Sequence, residues 1–304
     1  MEFYKYQGAG NDFVIVDNMS LAVADEHASR LALSICDRRF GVGADGFIMA
    51  EPSDKADVRM NFYNADGSRA AMCGNGIRCF AKLVTDTGIV MKNEFTVETG
   101  DGIKHIHMLD KSPALSRVRV DMGSFSDMRQ VKSCGFEISA MRLGVPHAVI
   151  FDEKSEYKSS GSRIDKEKEM ETLSELACRY GSDIEYAQEF APERTNVNFV
   201  RVIDKDTILC STWERGAGKT LACGTGACSS AVAAHFDKGL PRRINVIMPG
   251  GSVAVNIAGY DGKGQADRGD VDAPGASKDS RHSWIIYMEG TAELTFKGEY
   301  LKQW

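Results

Sequence analysis

Met72-Cys73-Gly74-Asn75-Gly76 and Ala222-Cys223-Gly224-Thr225-Gly226 are near-copies of one motif, set 150 residues apart in a chain of 304. The register holds upstream without a gap: at the same offset Asn64 pairs with Glu214, Ala65 with Arg215 and Ser68 with Gly218. A helical pattern starts behind each motif. After Cys73, the residues Ile77, Phe80, Ala81 and Val84 recur at helical spacing, with Gly88 placed as a C-cap. After Cys223, the run Ala227 to Ala234 is small and apolar nearly all round and ends at Gly239, as a helix enclosed by sheet would. Two equivalent thiol-bearing turns suggest two thiols facing one substrate from opposite sides, an arrangement suited to stereochemical inversion at carbon.

Around these helices the chain is rich in strand signals. Runs at 12–17, 57–64, 95–99, 104–109 and 117–122 mix β-branched and aromatic residues between Gly, Asp and Ser punctuation. A second set lies at 136–143, 148–151, 197–203, 208–213, 244–248, 253–257 and 284–288. Two further helices are predicted, over 25–39 with Leu31 and Ile35 inward, and over 166–180, stopping at Gly181. The fold class is therefore α+β: two pseudo-symmetric domains, each a mixed β-sheet wrapped around a central helix, with the boundary near 123–133. Polar stretches at 153–169 and 259–283 interrupt the second half. Asp267, Asp270 and Asp272 in the latter miss the register of a calcium loop, so it reads as a disordered hairpin tip.

Composition narrows the function classes. A hydrophobic fraction of 43% and a charged fraction of 26% are ordinary for a globular protein, and the net charge of −6 gives no footprint for nucleic acid. Arg38-Arg39 and Arg242-Arg243 are isolated pairs, read as solvated surface. No apolar run approaches the roughly 20 residues of a membrane span, and Met1-Glu2-Phe3-Tyr4-Lys5 has no signal-peptide character. The expectation is a cytoplasmic protein whose eight cysteines are reduced thiols. Six histidines and the absence of a Cys-x-x-Cys pair leave little for a zinc site, so no metal is expected.

Cysteine at a helix N-terminus meets unpaired backbone N–H groups and the positive end of the helix dipole, which lower a thiol pKa to roughly 3.5–7.5. The adjacent glycines let a ligand approach those N–H groups, which suit a carboxylate. Cys36, Cys134, Cys178 and Cys210 read instead as small buried hydrophobes, and Cys79 and Cys228 as helix-body residues. Two other motifs carry no chemistry. Gly41-Val42-Gly43-Ala44-Asp45-Gly46 satisfies G-x-G-x-x-G but follows a helix rather than a strand, so it reads as a tight turn. Gly218-Lys219-Thr220 lacks the earlier glycine of a phosphate-binding loop, Trp213 standing in its place.

Read together, Gly8-Ala9-Gly10-Asn11-Asp12-Phe13, Asn64-Ala65-Asp66-Gly67-Ser68, the Cys73 and Cys223 motifs and Glu214-Arg215-Gly216-Ala217-Gly218 resemble the signatures of diaminopimelate epimerase, in order from residue 5 to about 255. The resemblance implies a cofactor-independent epimerase that converts LL-diaminopimelate to the meso form, one thiol removing the α-proton and the other delivering a proton to the opposite face. It implies domains at 1–124 plus 289–304 and at 125–288, with a C-terminal strand near 290–300 returning to the first. Matched to the family, Cys73 and Cys223 are the two bases, and Gly74, Asn75, Gly224 and Thr225 cradle the reacting carboxylate. Asn11, Asn64, Asn196, Glu214 and Arg215 match substrate contacts, and His147 a histidine near the thiols. The partner implied is a small amino acid, with neither nucleic acid nor membrane, and a homodimer is plausible by the same resemblance. Three positions depart from the family pattern. Val145 stands where asparagine is common, Lys219 where glutamate is usual, and Gly46 where some members have glutamine. None touches the thiols, so they bear on substrate identity and not on reaction type: Val145 and Lys219 leave open a racemase for histidine or another amino acid, or an epimerase accepting lanthionine. A separate alternative, from another class, is a redox or binding protein in which Cys73 and Cys223 form a reversible disulfide.

Overall fold

The structure, a computed structural model, describes residues 1–152, 165–261, 265–266 and 284–301. Its contacts divide the chain into two units, Met1–Asp121 with Glu289–Trp304, and Met122–Met288.

In the first unit the elements run β1 (Glu2–Gly8), β2 (Asn11–Asp17), α1 (Asp25–Cys36), β3 (Gly46–Glu51), β4 (Val58–Asn64), β5 (Arg69–Ala70), α2 (Gly74–Asp86), β6 (Glu94–Thr99), β7 (Gly102–Lys111) and β8 (Leu115–Asp121). The second holds β9 (Ser126–Ser133), β10 (Phe136–Leu143), β11 (Val145–Phe151), α3 (Lys166–Glu185), β12 (Asn196–Asp204), β13 (Thr207–Glu214), β14 (Gly218–Lys219), α4 (Gly224–Lys238), β15 (Arg243–Met248), β16 (Gly251–Asp261) and β17 (Gln265–Ala266). The last strand, β18 (Trp284–Glu299), supplies its C-terminal part to the first unit, where Glu299 pairs with Glu2 of β1.

Strand pairing repeats from one unit to the other. β1–β2 is an antiparallel hairpin, as is β10–β11. β2–β3 is parallel, with Phe13 opposite Gly46, and β11–β12 is parallel, with His147 opposite Asn196. Each parallel pair spans a crossover carrying a helix, α1 or α3, as parallel strands require. β4 pairs in parallel with β6 and β13 with β15, each pair bracketing a thiol turn and its helix. In the first unit the ladder β1-β2-β3-β4-β6-β7-β8-β18 returns to β1.

That closure explains a difference from the sequence reading. The apolar spacing in α2 predicts one inward face, yet every residue from Gly74 to Val84 is buried, including Arg78 and Lys82. A helix ringed by sheet has no water side, so buried charges must find polar partners. Lys82 Nζ donates to Ser112 O at 2.8 Å and pairs with Asp86 at 2.8 Å. The α4 helix needs no such device: its enclosed stretch, Gly226–Ala234, carries no charged side chain.

Other departures have local causes. The α3 helix runs on through Gly181 to Glu185, because that glycine makes room for Trp213: a Cβ there would stand 2.5 Å from Trp213 Cβ and 2.7 Å from its Cδ2. The α1 helix ends at Cys36 rather than Arg39, and Gly41–Gly46 forms the expected turn, with the Gly43 and Val42 N–H groups returning to Ile35 O. β1, β3 and β9 lack clear sequence signals; β9 is largely exposed and polar, and lies where a domain boundary was expected. Cys36 and Cys210 are buried as expected, but Cys134 and Cys178 are exposed. Of the 153–169 stretch, 153–164 lies outside the described residues, and α3 begins at Lys166. Of the 259–283 stretch, residues 260–261 pair with 265–266, and the Asp267, Asp270 and Asp272 positions lie outside the described residues.

Candidate active site

Cys73 caps α2 from an extended backbone (φ −135°, ψ 123°), and its Sγ accepts the Gly76 N–H at 3.4 Å. The next turn is held from below by Arg78, whose Nη1 donates to Gly74 O and Nη2 to Asn75 Oδ1, both at 3.0 Å. Asn75 Nδ2 in turn donates to Asn11 Oδ1 at 2.5 Å, and Asn11 Nδ2 to Asp45 Oδ2 at 3.0 Å. Thus Arg78, outside the predicted set, links Gly74 to Asn75, Asn75 bonds Asn11 directly, and Asp45, also outside the set, anchors Asn11. Gly8 packs close by, where a Cβ would meet Cys79 Sγ at 3.2 Å and Thr291 O at 3.3 Å, a tight fit in which the neighbours would have to give by a few tenths of an ångström. Asn64 is not part of this chain of bonds; its amide donates to Ser68 Oγ at 2.9 Å.

The supposed surface pair is half structural. Arg38 bridges Asp12 and Asp45 at 2.7 Å each, and Lys5 closes on Asp12 at 2.7 Å. Burial pushes the Asp12 carboxyl up, but the two cations outweigh it and hold it at about 2. Asp45 therefore reaches Asn11 as one member of an ion-paired cluster.

In the second unit Cys223 caps α4 in the same way (φ −121°, ψ 112°), its Sγ accepting the Gly226 N–H at 3.4 Å with Thr225 Oγ1 at 3.6 Å. Here the expected low thiol pKa fails. Burial raises Cys223 well above its ordinary value, the Glu214 carboxylate raises it further, and the hydrogen bonds from Thr225 and Gly226 recover only part. Loss of water outweighs a single helix terminus for a thiol that is 5% exposed. Glu214 is raised too, first by burial and against its hydrogen bonds, which include one to Cys223.

Asn196 and Arg215 form a second contact pair: Asn196 Oδ1 accepts the Arg215 N–H at 2.8 Å, and Arg215 Nη1 donates to Glu193 O at 2.6 Å. His147 is buried beside Asn198, with 3.2 Å between His147 Nδ1 and Asn198 Nδ2. Burial lowers its pKa to about 3, Arg215 adding to the effect. Asn198 escaped the sequence reading. The signal was available, since Asn196 and Asn198 place two amides on one face of β12, alternating with the apolar Val197 and Phe199. Among the described residues no group of three or more His, Cys, Asp or Glu side chains is arranged to hold a metal ion.

Each half therefore presents one cysteine at a glycine-rich helix terminus, and one of the two thiols is held protonated. The sequence profile of diaminopimelate epimerase matches residues 3–127 and 139–273. The chain belongs to the diaminopimelate epimerase family. A diaminopimelate epimerase of Alkaliphilus metalliredigens is 39% identical over 319 aligned residues, covering 99% of this chain and 98% of its own. That of Clostridium perfringens is also 39% identical, covering 84% and 92%. Among solved structures, a Bacillus anthracis phenazine biosynthesis protein of the PhzF family superposes with a TM-score of 0.66 at 16% identity, covering 99% of both chains. A probable proline racemase from Agrobacterium radiobacter gives 0.64 at 13% identity, covering 99% of this chain and 93% of that one. At such identities the likeness concerns the fold alone, and it places this member of the diaminopimelate epimerase family among related two-domain α+β folds.

The three departures from the family pattern now have positions. Val145 opens β11 opposite Leu143 and is half-buried. Lys219 lies on β14 opposite Trp213. Gly46 opens β3, where a Cβ would come 2.5 Å from Phe62 Cε2, so glycine is the residue this packing admits.

Proposed function

We propose that this protein epimerises LL-diaminopimelate to meso-diaminopimelate by proton transfer between the substrate's α-carbon and two thiols, Cys73 and Cys223. The observation that carries the reading is the duplicated cysteine N-cap, each Sγ on the N–H of a glycine three residues on, in a chain of this family. The protein is an isomerase, and the reaction class follows from the site chemistry. An α-carbon proton is far less acidic than a thiol, so its removal needs stabilisation of the enolate-like charge that develops on the carboxylate. The N–H groups of Gly74, Asn75, Gly224 and Thr225 supply it, a donor of this kind being worth roughly 3 kcal/mol. Cys223, held neutral by burial and by Glu214, is the proton donor of the resting state, which leaves Cys73 as the base for that direction. In the reverse direction the roles exchange.

Asn11, Asn64, Asn196, Glu214, Arg215 and His147 complete the substrate site in this reading. The two units described above are its two epimerase domains. A cytoplasmic location and a homodimeric state are proposed on the family resemblance, and sedimentation equilibrium tests the second. The function itself is tested by incubating the reduced protein in D₂O with LL-diaminopimelate, lanthionine and histidine, and following loss of the α-proton signal by NMR. Exchange of LL-diaminopimelate with growth of the meso form is expected. Exchange of histidine or lanthionine alone would move the assignment to another substrate, and no exchange with any of them would refute the isomerase.

A further inference from the structure

The crossover helix of each unit reaches the hairpin turn that stands, in the same register, before its thiol motif. In the first unit the contact is neutral: Ser29 Oγ of α1 donates to Gly67 O of the 64–68 turn at 2.8 Å. In the second unit the equivalent 214–218 turn meets a carboxylate, that of Glu185 at the C-terminus of α3. Glu185 is buried, and it sits where the helix dipole disfavours an anion, with no basic residue in the last turn to offset it. A buried carboxylate in that place needs donors of its own. It has three. Oε2 accepts from the Trp213 indole N–H at 2.8 Å, and Oε1 accepts from Arg194 Nη1 and from the Gly216 N–H, both at 3.1 Å. These donors come from β13, from the loop before β12 and from the turn itself, so one side chain at the end of α3 ties three other segments together.

We propose that Glu185 is a positioning residue that fixes the 214–218 turn, and with it the Glu214 and Arg215 side chains, in the place the reaction requires. It acts through the turn and not on the reacting atoms. The inference rests on the function proposed above for the roles of Glu214 and Arg215. Three backbone N–H groups of the turn show how it is held. That of Arg215 goes to Asn196 Oδ1 at 2.8 Å, that of Gly216 to Glu185, and that of Ala217 closes on Glu214 O at 3.0 Å within the turn. Two of the three therefore leave the turn, one to Asn196 and one to Glu185. Arg194 carries the same carboxylate to the loop that supplies Glu193 O, the acceptor of Arg215 Nη1 at 2.6 Å. Both the main chain and the guanidinium of Arg215 are thus set from groups that Glu185 joins. On the other flank Glu214 is hydrogen-bonded to Cys223, so a displacement of the turn reaches the thiol as well as the arginine.

The test is Glu185→Gln, which keeps the shape of the side chain and turns one acceptor into a donor. Whichever way the new amide lies, its amino group faces another donor: the Trp213 indole N–H on one side, or Gly216 N–H and Arg194 on the other. In the substrate-free variant the Gly216 amide should exchange with D₂O about tenfold faster or more, followed by ¹H–¹⁵N correlation, while amides of α4 keep their wild-type rates. KM for LL-diaminopimelate should rise about tenfold or more, the worth of one hydrogen bond to a charged group, with kcat changing less. Trp213→Phe removes the indole donor, so in the double variant the amino group can turn to that side. KM and Gly216 exchange there should return to those of Trp213→Phe alone. A role in stability alone would lower the urea midpoint and leave KM and Gly216 exchange in place. Both quantities within about twofold of wild type in folded Glu185→Gln would overturn the proposal. Should that variant not fold, wild type decides: the Gly216 amide and the Trp213 indole N–H must both be protected before substrate is added, and rapid exchange of either overturns it. Because hydrogen exchange needs no substrate, its failure is distinct from failure of the α-proton exchange assay.

Discussion

Gly76 and Gly226 occupy the same place in the two thiol turns, yet an alanine should be nearly harmless at the first and damaging at the second. At Gly76 the added methyl would meet Cys73 Cβ and Ile48 Cδ1 at 3.3 Å and Phe13 Cε1 at 3.4 Å. Each neighbour must give by a few tenths of an ångström, and the gain in helix propensity, up to about 1 kcal/mol for Gly→Ala, offsets that strain. At Gly226 the methyl would overlap Asn198 Oδ1 and stand 3.2 Å from Cys223 Cβ and Sγ. Asn198 has nowhere to retreat without releasing its bonds to Ala148 O, His147 Nδ1 and Thr212 Oγ1. Three such bonds at about 1 kcal/mol each, with overpacking of about 1–3 kcal/mol, put the loss at roughly 3 kcal/mol or more after the propensity gain. Urea unfolding of Gly76→Ala and Gly226→Ala, followed by fluorescence and circular dichroism, should give a change within about 1 kcal/mol for the first and a loss of at least about 3 for the second. Equal losses at the two positions would refute the claim that Asn198 is what distinguishes them.

Other consequences are open to simple assays. Glu214→Gln removes the carboxylate that disfavours the Cys223 thiolate, so the thiol pKa should fall; thiolate absorbance read against a Cys223→Ala reference should rise at lower pH than in wild type, and an unmoved titration would count against the pairing. Asp12, lowered from 3.8 to about 2, stabilises the folded chain fully above its unfolded value and loses that contribution as pH falls toward 2. The shift corresponds to about 2 kcal/mol at neutral pH before solvent screening, and Asp12→Asn should therefore lower stability at neutral pH while narrowing the gap to wild type in acid. Gly181→Ala, which forces Trp213 off α3 and away from Glu185, should cost about 2–3 kcal/mol in unfolding, whereas a neutral result would show that the helix and ring can part cheaply.

The duplication was legible because it is written twice in one local pattern, a cysteine followed by two glycines at the start of a helix, which needs no distant partner to be read. Strands with alternating or β-branched character, such as β10 and β13, were readable for the same reason. β3 was hidden because Phe47-Ile48-Met49-Ala50, buried throughout, has no period and follows a glycine-rich turn. The burial of Arg78 and Lys82 could not be read from spacing, since their enclosure depends on the ladder closing through β18. At the candidate site, the two cysteine turns take the local geometry expected of them, each capping a helix. Arg78, Asp45 and Asn198 were missed as parts of the site because each acts through a partner distant in sequence, Arg78 and Asp45 through Asn75 and Asn11, Asn198 through His147. The low pKa expected at Cys223 failed for a related reason: a helix terminus is a local feature, while desolvation and the charge of Glu214 belong to the folded surroundings.

The central claim, that two thiols invert one α-carbon, is tested most directly by the fate of the proton. With LL-diaminopimelate in D₂O, wild type should yield meso-diaminopimelate bearing solvent deuterium at the inverted carbon. Cys73→Ala and Cys223→Ala should each yield none, because each thiol serves one face. Meso product formed without solvent deuterium, or full conversion by either variant, would contradict the two-thiol account.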